Sequence, residues 1–136
     1  MRPLSSTEVL NRFGLSCAIL IPVLLILGQI FLRVTGVPLS YPPLNPLPLL
    51  SGAVGGSLIS ALGFLLVSSF IKDQKTFQTV LIGLAVLLLI ASFYLPWRLS
   101  YTQSARFVGV TVWAQLSQAF LHCIVVGTNL LVLLRR

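Results

Sequence analysis

Residues 46–71 read PLPLLSGAVGGSLISALGFLLVSSFI, and no Asp, Glu, Lys, Arg or His interrupts them. As a helix this stretch reaches roughly 39 Å, more than the ~30 Å of hydrocarbon in a bilayer. A lone strand is excluded, because in lipid its backbone N–H and C=O groups would have no partners. The start is marked chemically: Asn45 suits an N-cap and Pro46 the first helical position. The stretch is therefore read as a membrane-spanning helix.

Three further segments obey the same logic: 13–33, 77–97 and 108–134. The chain has 136 residues, of which 57% are hydrophobic and 8% charged. A soluble domain carries about 25% charged residues and could not hide so much apolar surface. The period-two alternation of an outer-membrane barrel is absent. "KDQKTFQ" (72–78) and "RLSYTQSAR" (98–106) are short connections, which force neighbouring helices to run antiparallel. The expected fold is all-α, an antiparallel bundle of four transmembrane helices forming one domain over 1–136. The first span is too long for a cleavable signal and no small-residue cleavage site follows it, so it reads as a retained anchor. Five of the eight prolines fall between Pro38 and Pro48, so "VTGVPLSYPPLN" (34–45) should be stiff and could fold over the bundle mouth. Pro22 should kink the first helix and free the carbonyl near Ala18, while Pro96 fits the end of the third.

The formal net charge is +7, from nine Lys/Arg against Glu8 and Asp73. The basic residues stand singly at the ends of apolar runs, with no basic stripe, so no nucleic-acid partner is expected. Arg2, Arg12, Lys72, Lys75, Arg135 and Arg136 fall on one side, and Arg33, Arg98 and Arg106 on the other. That excess predicts both termini in the cytoplasm. Tyr41, Tyr94, Trp97, Tyr101 and Trp113 suit an interfacial belt on the opposite face. Arg33, Arg98 and Arg106, at the outer mouth among these aromatics, are candidate contacts for an anion or lipid head; plain interfacial anchoring is the alternative.

In the second helix, Gly52, Gly56 and Ser60 recur every fourth residue, with Gly63 one turn on, and Ala53, Ser57 and Ala61 form the neighbouring row. Small residues at this spacing let two backbones approach closely. The stripe fits a contact within the bundle, or one in a homo-oligomer or larger membrane complex. The third helix is nearly featureless and should face lipid.

The fourth helix carries the unusual residues. Gln115, Gln118, His122 and Asn129 are spaced three, four and seven apart, so they share one face. Val112, Leu116, Ile124 and Leu131 occupy the opposite face, which suits lipid. The polar seam either pairs with other helices, with the carbonyl freed by Pro22 and with trapped water, or lines a ligand pocket. Neutral imidazole can ligate a metal or haem, but His122 is the only histidine and both carboxylates lie outside the spans, so no metal and no cofactor is expected. No His/Asp pair can activate a serine, and neighbours such as His122 and Cys123 point about 100° apart on a helix. A bridge between Cys17, near one face, and Cys123, near mid-bilayer, is not expected. No catalytic residue is assigned, and the chain is not expected to be an enzyme.

"RVTGV" (33–37), "SGAVGGSLISALGFLL" (51–66), "SFYLP" (92–96) and "FLHCIVVG" (120–127) together resemble a family of small four-helix bacterial membrane proteins, a domain of unknown function. Leu121–His122 matches that family's histidine after an apolar residue in the last helix, whereas "YPPLNPLPLL" (41–50) departs from its more polar connection. The resemblance implies the four-span architecture and an interest in His122, but no mechanism. The expected role is a non-enzymatic multi-pass protein acting by helix association or by binding a lipid-like or small hydrophobic ligand along the seam. The alternative is a small transporter or channel-like oligomer using the seam as its polar path. Membrane lipids are the expected partners.

Overall fold

The computed structural model describes residues 5–36, 42–101 and 111–135, with Pro42 and residues 94–101 described by their backbone alone. Four helices follow in order: α1 (Ser6–Val34), α2 (Pro46–Phe70), α3 (Gln74–Tyr101) and α4 (Val112–Leu134), with a 3-10 turn at Pro42–Leu44 before α2. Each helix is long and apolar enough to cross a membrane, and they pack as an all-α bundle.

Polar caps, rather than the edges of the apolar runs, set the helix ends. α1 starts at Ser6, ahead of the expected 13, because Ser5 and Glu8 form a capping box. The Ser5 hydroxyl accepts from the Glu8 amide at 3.2 Å, and the Glu8 carboxylate accepts from the Ser5 amide at 2.7 Å. Gly36, at φ 67°, takes the left-handed turn that carries the chain away from α1. α3 starts at Gln74 rather than 77, since the Asp73 carboxylate accepts from the Thr76 amide at 2.8 Å. It also runs on to Tyr101, past Pro96, where the expectation placed its end; a proline removes one backbone bond without ending a membrane helix. α4 starts at Val112 rather than 108, because the Thr111 hydroxyl accepts from the Ala114 amide at 3.1 Å as the N-cap.

Hydrogen bonds at both ends fix α1 antiparallel to α4. At one end Arg12 Nη1 donates to the Leu133 carbonyl at 2.6 Å and to that of Val132 at 3.3 Å. At the other, the Thr111 hydroxyl donates to the Thr35 carbonyl at 3.3 Å. Between them, Leu20, Leu24 and Leu32 of α1 meet Leu49 and Ala53 of α2 and Ala114 and Leu121 of α4. Leu44, from the 3-10 turn, is buried in the same core, so that part of the proline-rich connection does fold onto the bundle. A second core at the opposite end joins Val9, Ala61, Phe64, Phe77 and Leu133, with the Phe64 and Phe77 rings edge to face at 5.0 Å. Among the described residues α3 is the least buried helix and α4 the most. The molecule is thus a core of α1, α2 and α4 with α3 on its flank.

Candidate functional site

α4 divides the expected seam. Gln115, Gln118 and His122 are half-buried, whereas Asn129 is fully buried. Asn129 turns back on its own helix, where its Nδ2 donates to the Val125 carbonyl at 2.9 Å. This local bond gives one amide N–H a partner without another helix. The carbonyl end freed by Pro22 does not serve the seam, since Ala18 and Pro22 both lie exposed on α1. Ile124, expected to face lipid, packs against the α1/α2/α4 core instead. Trp113, Leu116, Phe120 and Leu131 form the exposed side of α4.

Gln118 and His122 come together in the wall of a half-open pocket of about 280 Å³. Leu24 of α1, Pro48, Leu49 and Gly52 of α2, and Leu121 and Val125 of α4 supply apolar walls, with Pro43 from the 3-10 turn at one end. Three local features shape this space. Gly28 on α1 is buried, and a Cβ there would strike Leu49 Cδ1, so the missing side chain lets α1 and α2 close on each other. Gly56 lies against Val125, where a Cβ would stand 2.8 Å from Val125 Cγ1. Gly52, in contrast, is exposed at the rim, and a Cβ there meets no atom within 4 Å. The pocket is therefore bounded by two close helix approaches and opens beside a glycine.

Three buried polar atoms have no hydrogen-bond partner among the described residues: His122 Nδ1 and the hydroxyls of Ser16 and Ser57. A serine hydroxyl in a helix has the carbonyl of the preceding turn within reach of a rotation. An imidazole has no such local partner, so of these three side chains His122 is the one its own helix cannot serve.

Of the small-residue stripe, Gly56 makes the close interhelical approach; Gly52 and Gly63 face open space, and Ser60 donates to the Gly56 carbonyl at 2.8 Å. The buried row is the neighbouring one, Ala53, Ser57, Ala61 and Phe64. Arg33 is exposed in the last turn of α1, while Arg106 and the Arg98 side chain lie outside the described residues, as do the side chains of Tyr41, Tyr94, Trp97 and Tyr101. Trp113 is exposed near the start of α4. Cys17 and Cys123 are free thiols, and no cluster of three potential metal ligands occurs among the described residues.

Spacing and composition do not single out Arg12 or Gly28. Gly28 does have a signal, as an isolated glycine among bulky residues in "LILGQIF" (25–31). Arg12 has none, because its partners are carbonyls 120 positions away and beyond.

A second cavity of about 200 Å³ lies between α2, α3 and α4, walled by Ile59, Leu81, Leu84, Leu88 and Leu130 among others. Its one hydroxyl, Ser60, is already bonded within α2.

No family model, no curated protein and no solved structure matches this chain. The family resemblance thus stands on its quoted motifs alone.

Proposed function

We propose that this is a non-enzymatic multi-pass membrane protein that binds a lipid-like or small hydrophobic ligand in the Gln118–His122 pocket. The observation that carries this reading is His122: it lines an apolar pocket while its Nδ1 has no hydrogen-bond partner among the described residues. A buried polar atom left unbonded costs about 1–3 kcal/mol, and a ligand hydroxyl or carbonyl beside the imidazole recovers that cost after a turn about χ2. The lining stops at Val125 on α4, and Asn129 beyond it is bonded to its own helix, which favours a binding pocket over a continuous transport path. The excess of basic residues at the Arg12–Leu133 end supports an orientation with that end in the cytoplasm of a bacterial cell.

Mass spectrometry of the protein released from native membranes tests the proposal, comparing wild type with a Gln115→Leu, Gln118→Leu, His122→Phe variant. The wild type should retain a bound lipid-like molecule that the folded variant loses. A folded variant with an unchanged set of bound molecules overturns the pocket's role.

A further inference from the structure

We infer that the pocket's occupant is an uncharged lipid, with a head bearing hydroxyl or carbonyl groups against Gln118 and His122 and a chain leaving past Gly52 into the bilayer. This rests on the binding role proposed above and adds the chemical class.

Charge is the first argument. No Asp, Glu, Lys or Arg occurs between Arg12 and Arg33, in 46–71, between Lys75 and Arg98, or in 112–134. His122 lies about 15 Å into α4 from Val112, so it sits near the middle of the hydrocarbon. A phosphate or carboxylate carried to that depth would meet no cation among the described residues that line the pocket, and an unpaired charge there is prohibitively costly. Arg33, exposed in the last turn of α1, stays at the bundle end.

Hydrogen bonding is the second. The Gln118 amide offers both donors and an acceptor, and neutral imidazole offers one of each. The pair suits a head that both gives and takes hydrogen bonds, and it has no use for a wholly hydrocarbon guest.

Size and exit are the third. About 280 Å³ falls just below the space that encloses a whole small ligand, so it holds a head and not an entire lipid. The remainder must leave through the open side. Gly52 is exposed there, with no atom within 4 Å of where a Cβ would stand, and it lies about 9 Å into α2, already within hydrocarbon. Pro43 and Pro48 wall the end nearest the connection between α1 and α2.

The test uses the full chain in phosphatidylcholine nanodiscs with two photoreactive probes of identical chain. One is a monoacylglycerol and the other a lysophosphatidate, each with a diazirine close to the head. The monoacylglycerol should label peptides of α2 and α4 at least about tenfold more than the anionic probe. Gly52→Phe should abolish that labelling by filling the exit, and Gln118→Leu or His122→Phe should reduce it. Gly63→Phe, which faces the second cavity between α2, α3 and α4 and lies away from this pocket, should leave it intact, with circular dichroism checking that each variant is folded. Equal or stronger labelling by the anionic probe, still abolished by Gly52→Phe, overturns the uncharged head and leaves the pocket standing. Labelling that ignores Gly52→Phe for both probes overturns the pocket itself.

Discussion

The glycines of α2 differ in what surrounds them, although the sequence spaces them alike. Gly56 faces Val125, whose β-branched side chain has little freedom to give way. Gly56→Ala should therefore destabilise the protein by about 1–3 kcal/mol, the usual cost of overpacking a well-filled contact. Gly52→Ala and Gly63→Ala add a methyl where nothing stands within 4 Å, so they should leave stability unchanged or raise it slightly through helix propensity. Thermal unfolding in detergent orders the three; equal losses in all of them would refute the distinction. Four-residue spacing places these residues on one face but leaves the rotation of that face undetermined. The rotation follows from Val125 on α4, and so is not legible in α2 alone. The seam shows the same limit: spacing puts Gln118, His122 and Asn129 on one side, yet Asn129 finds its partner one turn back, which periodicity does not reveal.

At the scale of the helices, the apolar runs give the number and order of the elements because hydrocarbon thickness dictates their length. Their ends are less legible, since a helix continues past the membrane until a cap stops it. The Ser5–Glu8 box and the Asp73 cap lie outside the apolar runs and Thr111 inside one, although each is a recognisable residue type at its position. The Arg12 contact caps a helix from another part of the chain. Its guanidinium meets carbonyls at the negative end of the α4 dipole, and Arg12→Leu should cost about 1–3 kcal/mol. Hydrogen exchange should then speed up in the last turn of α4, while its first turn, held by Thr111, stays as protected as before. Uniform acceleration along α4 would speak against a local cap. Asp73 adds a pH dependence. The Thr76 backbone amide, and then its hydroxyl, hold the Asp73 carboxyl below its ordinary 3.8. A depressed value means that the cap stabilises the folded chain above the ordinary carboxylate range and is lost as pH falls through the lowered value. The difference in melting temperature between wild type and Asp73→Ala should hold steady from neutral to mildly acidic pH and shrink below pH 3.8. A difference that persists unchanged at the acid end would show that the carboxylate charge is not its source.

For the whole molecule, the contacts and the charges make separate statements that one experiment can separate. Arg12 on the Leu133 carbonyl ties the start of α1 to the end of α4, and the connection before α3 lies at that same end through Phe77, packed with Val9 and Leu133. These three places must share one side of the membrane whichever way the bundle is inserted. By the charge rule the basic residues then choose the side: among the described residues Arg12, Lys72, Lys75 and Arg135 fall at that end, against Arg33 at the other. In a Cys17→Ala, Cys123→Ala background, Ser5→Cys and Lys75→Cys should react with a membrane-impermeant maleimide only after the cells are opened. Ser40→Cys, between α1 and α2 in sequence, should react in intact cells. If Ser5→Cys and Lys75→Cys respond differently from each other, the arrangement of the helices is wrong. If they respond alike but in intact cells, the bundle stands and the charge rule has failed. In that case the pocket, which lies toward the α1–α2 end, would open near the cytoplasmic leaflet instead of the outer one, and the proposed lipid would be drawn from there.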